Sequence, residues 1–267
     1  MNPFPNVKKE RVDALLVARG LCESREQAKR LVLAGEVRSG DRIVDKPSTK
    51  FAEDAPLEVK ERPRYVGRGG LKMEGALAAF GIVPEGWTCL DIGASTGGFT
   101  DCLLQHGAAK VHAIDVGTNQ LAYKLRTDPR VIVKEQFNAR GLEVSTLGEK
   151  VRLIVMDLSF ISLTLVLPAL VGCCSTTADV VVMVKPQFEV GKEALGTGGV
   201  VRDPAQRAAA VSTIADSAFA LGWGVRGVTA SVLPGPAGNV EYFLWLGHGA
   251  PALNLSDLDR AIEEGPS

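Results

Sequence analysis

Residues 90–98, Leu-Asp-Ile-Gly-Ala-Ser-Thr-Gly-Gly, combine residue types and spacing suited to holding a nucleotide-like cofactor. An apolar run from Trp87 to Leu90 ends in Asp91, glycines follow at 93, 97 and 98, and an amphipathic segment starts near Phe99. Strand, glycine-rich turn and helix bring backbone N–H groups up to a ligand, and glycine permits approaches that a Cβ blocks. The pattern is G-x-x-x-G-G and not the dinucleotide G-x-G-x-x-G, so by itself it also fits a plain tight turn. About twenty residues further on, Val-His-Ala-Ile-Asp (111–115) reads as a second strand ending in Asp115, an acid that can accept both hydroxyls of a ribose. Three more charges fall at strand ends or inside strands. Asp157 closes a later strand, Lys185 follows Val-Val-Val-Met-Val (180–184), and Glu241 lies within Asn-Val-Glu-Tyr-Phe-Leu-Trp-Leu (239–246). Open parallel sheets bind ligands at the carboxyl ends of their strands. A lysine and several acids gathered there are suited to moving a proton. Singly, each also fits a snorkelling lysine or a rim carboxylate.

The elements that must position these residues follow from periodicity. Strands are expected at 88–92, 110–115, 131–135, 151–157 and 179–185, and helices at 71–80, 97–106, 119–127, 163–173 and 204–221. Asp203 before Pro204 is a helix start. The alternation predicts an α/β, Rossmann-like fold, with a mostly parallel sheet covered by helices on both faces. Residues 224–231 and 239–246 have no helix between them and should form an antiparallel hairpin at one edge. Before this body lies a small α+β unit. Its helix at 11–19 is followed by a second that Ser24 caps and that runs to Leu33; a tight turn at Ser39-Gly40-Asp41 and a strand at 57–59 complete it. The expected division is 1–60 for this unit, 61–70 for a Gly- and Pro-rich linker, 71–248 for the α/β domain and 249–267 for a tail.

Net charge is −1, but it is unevenly spread: residues 1–72 carry 16 Lys and Arg against 11 Asp and Glu, the remainder 14 against 20. A basic module on an acidic body suits a grip on a polyanion. Arg11, Arg25, Lys29, Arg30, Arg42 and Lys46, with Arg64 and Arg68 of the linker, are the candidate contacts to such a polyanion. The five cysteines show no C-x-x-C spacing, which argues against a metal site or a disulfide framework and for a reducing, cytoplasmic setting. The N-terminus, with Pro3, Pro5 and charge from Lys8, lacks a signal-peptide core. Residues 158–178 carry no charge and are long enough to cross a bilayer, yet Pro168 and several Ser and Thr residues favour a buried helix between two strands.

Asp-Ile-Gly-Ala-Ser-Thr-Gly-Gly-Phe-Thr (91–100), Asp-Leu-Ser-Phe-Ile-Ser (157–162), Val-Lys-Pro-Gln-Phe-Glu (184–189) and Gly-Asn-Val-Glu-Tyr-Phe-Leu (238–244) resemble the TlyA, or haemolysin A, family of FtsJ-type methyltransferases. The N-terminal unit resembles the RNA-binding fold of ribosomal protein S-four. The resemblance implies an S-adenosylmethionine-dependent 2′-O-ribose methyltransferase acting on ribosomal RNA, at a cytidine, with the ribosomal subunit as partner and no stable membrane partner. The family's Lys-Asp-Lys-Glu set falls on Lys72, Asp157, Lys185 and Glu241. Cofactor contacts are expected from Asp91, Gly93, Ala94, Ser95, Thr96, Gly97 and Gly98, from Asp115, Val116 and Asn138, and from Asp157 and Leu158. Ser95 stands where a second glycine is usual, and Thr96 where FtsJ has proline. Lys185 is the expected base, oriented by Asp157; Lys72 would keep its charge beside Glu241; Phe160 and Phe188 would stack on the target base or pack in the core. Two rivals follow from other classes: a membrane-active, pore-forming haemolysin, and an RNA-binding protein whose methyltransferase fold has lost its activity.

Overall fold

The computed structural model describes residues 9–60, 63–191, 193 and 195–265. The expectation for the extreme N-terminus lies outside them. The chain forms two compact units, Met1–Pro63 and Arg64–Ser267.

In the first unit, β1 (Lys9–Arg11) leads into α1 (Val12–Ala18) and α2 (Arg25–Leu33). Ser24 caps α2 by accepting the Gln27 N–H, and Gln27 Oε1 accepts the Glu23 N–H in return. Then come β2 (Val37–Ser39), β3 (Arg42–Ile43), β4 (Lys50–Ala52) and β5 (Leu57–Val59). They form a three-stranded sheet, β3-β2-β5, and a separate pair, β1-β4. Val12, Leu16, Ala28, Val32 and Val37 fill the core. Asp13 is buried with them. Arg11 and Arg25 both bond its carboxylate, and Arg11 above all holds it below the usual carboxylate range. Two arginines read as surface cations thus have a structural task. Lys29, Arg30, Arg42 and Lys46 are exposed.

The second unit opens with α3 (Arg68–Phe80), which Gly81 ends in the left-handed conformation at φ 65°. Strand β6 (Thr88–Ile92), α4 (Gly98–Gln105), β7 (Lys110–Ile114), α5 (Tyr123–Arg126) and β8 (Val131–Lys134) follow. Next are α6 (Val144–Leu147), β9 (Val151–Met156), α7 (Leu167–Leu170), β10 (Cys174–Val184) and α8 (Pro186–Glu189). Helix α9 (Pro204–Ala220), β11 (Trp223–Ala230), β12 (Tyr242–His248) and α10 (Leu255–Glu263) complete it. The seven-stranded sheet has the order β11-β12-β10-β9-β6-β7-β8. β10, β9, β6, β7 and β8 are parallel neighbours, and the β11–β12 hairpin joins β10 antiparallel at one edge. This is the expected α/β architecture. Alternate residues enter two cores: Leu90, Ile154, Val182 and Leu244 pack with α7, α9 and α10, whereas Cys89, Val155, Met183 and Phe243 pack with α3 and α4.

Several boundaries differ from the sequence reading. Residues 64–70 are not a free linker. Tyr65 is buried on Gly70, where a Cβ would lie 2.2 Å from the ring. The Val66 N–H donates to buried Asp101, and α3 already starts at Arg68. The 249–267 tail contains α10, whose Leu258 and Ala261 join the core. The helix expected at 163–173 is broken into a 3-10 turn (Leu163–Leu165) and the one-turn α7, with Pro168 in its first turn; β10 begins five residues early, at Cys174. The helix expected at 119–127 shrinks to α5, because Glu135 accepts the Asn119 and Gln120 N–H groups and holds them in a turn. Among the described residues no helix is long and apolar enough to cross a membrane. The uncharged stretch instead buries Leu163, Val166, Leu167, Leu170 and Cys173 in the core.

Candidate active site

The rim at the carboxyl ends of β6, β7 and β9 surrounds a cavity of about 430 Å³, within the range of cofactor pockets. Gly93, Ser95, Asp115, Val116, Asn138, Asp157 and Leu158 line it. At Gly93, φ is 84° and a Cβ would meet the Asp157 carbonyl oxygen at 2.3 Å, so glycine is required there twice over. A smaller space of about 150 Å³ adjoins Asp157, lined also by Ala94, Thr96, Gly98 and Gly69. Two members of the expected cofactor set do not reach either space. Gly97 caps α4 with φ 96°, packed so that a Cβ would meet Leu125 at 2.2 Å. Asp91 lies wholly buried beneath the turn. Its Oδ2 accepts the Thr100 N–H at 3.0 Å and hydroxyl at 2.6 Å, while Oδ1 has no partner among the described residues. Burial pushes its carboxyl up to about 7, against the pull of the Thr100 hydrogen bonds and with help from the charge of Asp157.

The cavity fits a nucleoside cofactor on its own geometry. Asp115 is held by two backbone donors, Ser95 N–H on Oδ2 at 2.8 Å and Gly117 N–H on Oδ1 at 2.6 Å. Each oxygen keeps a second lone pair for a ribose hydroxyl. Asn138 spends its carbonyl on the Arg140 N–H, which leaves its amide as a donor beside Phe137. Ile92, Val116, Phe137 and Leu158 supply apolar walls for a flat ring.

Four charged residues gather as two ion pairs. Lys185 Nζ lies 2.6 Å from Asp157 Oδ1 and donates to Ser159 Oγ at 3.1 Å. Lys72 Nζ lies 2.5 Å from Glu241 Oε2. The pleat explains their side. Met156, Val184 and Tyr242 enter the α7–α9 core, so the adjoining Asp157, Lys185 and Glu241 fall on the opposite face. That is the face covered by α3, which carries Lys72. In register, Val184 pairs with Tyr242, which sets Glu241 across from Lys185. Spacing alone could not have found the Lys72–Glu241 pair, whose members are 169 residues apart.

The rim also holds residues that the sequence reading missed. Ser159 bonds Lys185, and Glu189 bonds Ser162 and the Leu163 N–H. Phe137, Ile161 and Val166 line the larger cavity. Ser159 and Glu189 sit inside quoted motifs, which was the available signal. Phe160 is 91% exposed and its ring lies 5.1 Å from that of Phe188. Of the expected RNA contacts in this unit, Arg64 is exposed but pairs with Glu74, and Arg68 donates to the Pro234 carbonyl.

Residues 65–248 match the FtsJ-like methyltransferase family and residues 10–55 the S4 domain. The chain is 55% identical over 267 residues to the 16S/23S rRNA (cytidine-2'-O)-methyltransferase TlyA of Mycobacterium tuberculosis, covering 97% of this chain and 99% of that one. It is 40% identical to Hemolysin A of Brachyspira hyodysenteriae, across 87% and 97% of the two chains. The solved structure "Putative hemolysin from Streptococcus thermophilus" superposes with a TM-score of 0.73 at 43% identity, covering 97% and 96%.

Proposed function

Because the chain belongs to the FtsJ-like methyltransferase family, we propose that it is an S-adenosylmethionine-dependent 2′-O-methyltransferase of ribosomal RNA, acting in the cytoplasm on cytidine. The single observation that carries the reading is the pair of lysine–carboxylate contacts on one face of the rim, next to a nucleoside-sized cavity. An S4 domain and a relative named for rRNA methylation support the substrate.

When bound, S-adenosylmethionine supplies a methyl group on a sulfonium, already activated for transfer. Asp115, Asn138 and the 93–98 turn would hold it. The residues of this chain then align a ribose 2′-hydroxyl and remove its proton. In its amine form Lys185 has two N–H bonds and one lone pair. Ser159 Oγ accepts one N–H bond, the Asp157 carboxylate lies 2.6 Å away as the ionic partner, and the lone pair is available for the hydroxyl proton. Such positioned base help contributes about 10²–10⁴-fold. Lys72, fixed by Glu241, holds a positive charge near the oxygen as negative charge grows on it. The exposed ring of Phe160, backed by Phe188, offers a face to the target base. Lys29, Arg30, Arg42 and Lys46 of the S4 unit supply phosphate contacts.

The test is methyl incorporation from labelled S-adenosylmethionine into rRNA, followed by nucleoside analysis. The expected product is 2′-O-methylcytidine; label on a base, or none on RNA, overturns the reading. Liposome leakage in parallel addresses the haemolysin name, and none is expected, because the uncharged 158–178 stretch would have to leave the core.

A further inference from the structure

The strings 157–162 and 184–189 each end on a polar residue that lines neither cavity at the rim. These two ends meet each other. The Ser162 hydroxyl donates to Glu189 Oε2 at 2.5 Å, and the Leu163 N–H donates to Glu189 Oε1 at 3.0 Å. Ser162 is also the cap of the 3-10 turn that follows, accepting the Thr164 N–H. Both oxygens of one carboxyl are therefore committed to the end of the segment that carries Asp157. Burial pushes the Glu189 carboxyl above the usual range, so a desolvated acid is being kept at this junction at a cost.

We infer that Glu189 is a positioning residue: it ties the 157–163 segment to the Lys185–Glu189 turn, so that the Lys185–Asp157 pair need not hold the rim together itself. Three contacts join the two segments. Lys185 meets Asp157 and Ser159 at one end, Phe160 meets Phe188 in the middle, and Glu189 meets Ser162 and Leu163 at the other end. The first weakens when Lys185 loses its charge and tightens when it regains it. The second is a ring contact on an exposed side chain. The third involves no group that the proposed proton transfer changes. Phe160 adds a demand for such a tether: its φ is 64°, a left-handed conformation that a bulky residue keeps only when its surroundings impose it.

The kinetic part of this inference rests on the methyl-transfer reading; the tether itself does not. The experiment compares Glu189→Ala, Glu189→Gln and Ser162→Ala in the full chain by two readouts, amide hydrogen exchange of residues 158–164 and steady-state kinetics on rRNA. A glutamine can accept the Leu163 N–H through its carbonyl and donate to Ser162 Oγ through its amide. Glu189→Gln should therefore keep exchange and kcat near those of the wild type. Glu189→Ala should speed exchange in 158–164 while β6 and β9 stay protected. It should also lower kcat by about 10²-fold, as a small misplacement of catalytic groups does, with KM for rRNA little changed. Ser162→Ala, which removes one bond of the two, should fall between and serves if Glu189→Ala folds poorly. Unchanged exchange in both alanine variants, or a glutamine variant as damaged as the alanine, overturns the tether. If the wild type methylates no rRNA, the functional reading fails while the exchange readout still decides the tether.

Discussion

Two lysine–carboxylate pairs stand on the same face of the rim, and water reaches them to different extents. The side chains of Lys72 and Glu241 are 9% and 1% exposed; those of Lys185 and Asp157 are 12% and 25% exposed. Glu241 is enclosed between Lys72 and the 231–240 connection, where a Cβ on Gly235 would meet its Oε1 at 2.7 Å. Asp157 lines both cavities. A closed pair cannot trade its partner for a substrate without stranding a charge in a poorly solvated place. What such a pair is suited to is keeping a positive charge in a fixed position. An open pair, one of whose partners faces the cavity, can lend its lysine to a proton and take it back. On the proposed reading, the same two residue types in the same layer take different tasks, the main difference being how exposed each carboxylate is.

The largest effect is expected at the open pair. Lys185→Ala should reduce methyl transfer by about 10²–10⁴-fold, with cofactor affinity by calorimetry and thermal midpoint close to wild type. Retained turnover would move the base elsewhere and erase the distinction drawn between the pairs. At the closed pair the loss should fall on stability first. Glu241→Ala leaves the Lys72 ammonium buried without a partner, a change that costs roughly 3–5 kcal/mol. Denaturant unfolding measures it directly. Replacing both partners, Lys72→Met with Glu241→Leu, should restore most of that stability, because two apolar side chains need no partner. The double variant should remain inactive. A stable, active double variant would show that the closed pair serves the fold alone.

Asp91 sharpens the same contrast from below, as a buried carboxyl with no cation paired to it among the described residues. Its folded-state value is about 7, against 3.8 for the free side chain. Between these values the folded chain holds a proton that the unfolded chain has released. Stability therefore falls as pH rises from about 4 to about 7, and the cost is complete above 7. The amplitude is a few kcal/mol at most, from 1.36 kcal/mol per unit. Asp91→Asn keeps an acceptor for Thr100 and carries no charge. The difference in stability between the wild type and the Asp91→Asn variant should shift against the wild type across that window; a flat difference from pH 4 to 8 would refute the assignment. Asp13, equally buried in the S4 unit, has two arginines and a carboxyl held low, so it should show no such loss in this range.

Much of this was readable from local pattern, and the failures are instructive. The five parallel strands each carry a short apolar stretch, and the glycine-rich turn lies within nine residues, so both could be read from neighbours in sequence. The closed pair could not be, since Lys72 sits on a helix and Glu241 just before a strand, and only folding joins them; resemblance alone pointed to Lys72. Residues 64–70 look like a linker because their composition is polar and glycine-rich. What orders them is Tyr65 seated on Gly70 and Val66 bonded to Asp101, contacts that composition does not encode. The 163–173 segment is apolar enough for a helix, but Pro168 and the early start of β10 divide it. Arg11 and Arg25 read as surface cations because the burial of Asp13, a charged residue in a helix, leaves no trace in the pattern.

The smallest predicted effect concerns how α3 and the 231–240 connection come close enough to close the first pair. Gly75, one turn beyond Lys72 on α3, faces Val232, and a Cβ there would lie 2.6 Å from Val232 Cγ1 and 3.1 Å from Cγ2. Two opposing terms decide the outcome of Gly75→Ala. Helix propensity favours alanine by about 1 kcal/mol, while overpacking costs about 1–3 kcal/mol. Val232 is 56% exposed and has room to yield, but both of its methyl groups approach the added Cβ, so turning the side chain still leaves one of them beside it. A net loss near 1 kcal/mol is expected, and methyl transfer should fall through Glu241 and not through Lys185. Adding Val232→Ala removes the methyl groups in the way, so the double variant should recover both stability and activity. If it recovers neither, the close approach of these two elements is not what sets the closed pair, and its geometry must come from β12 alone.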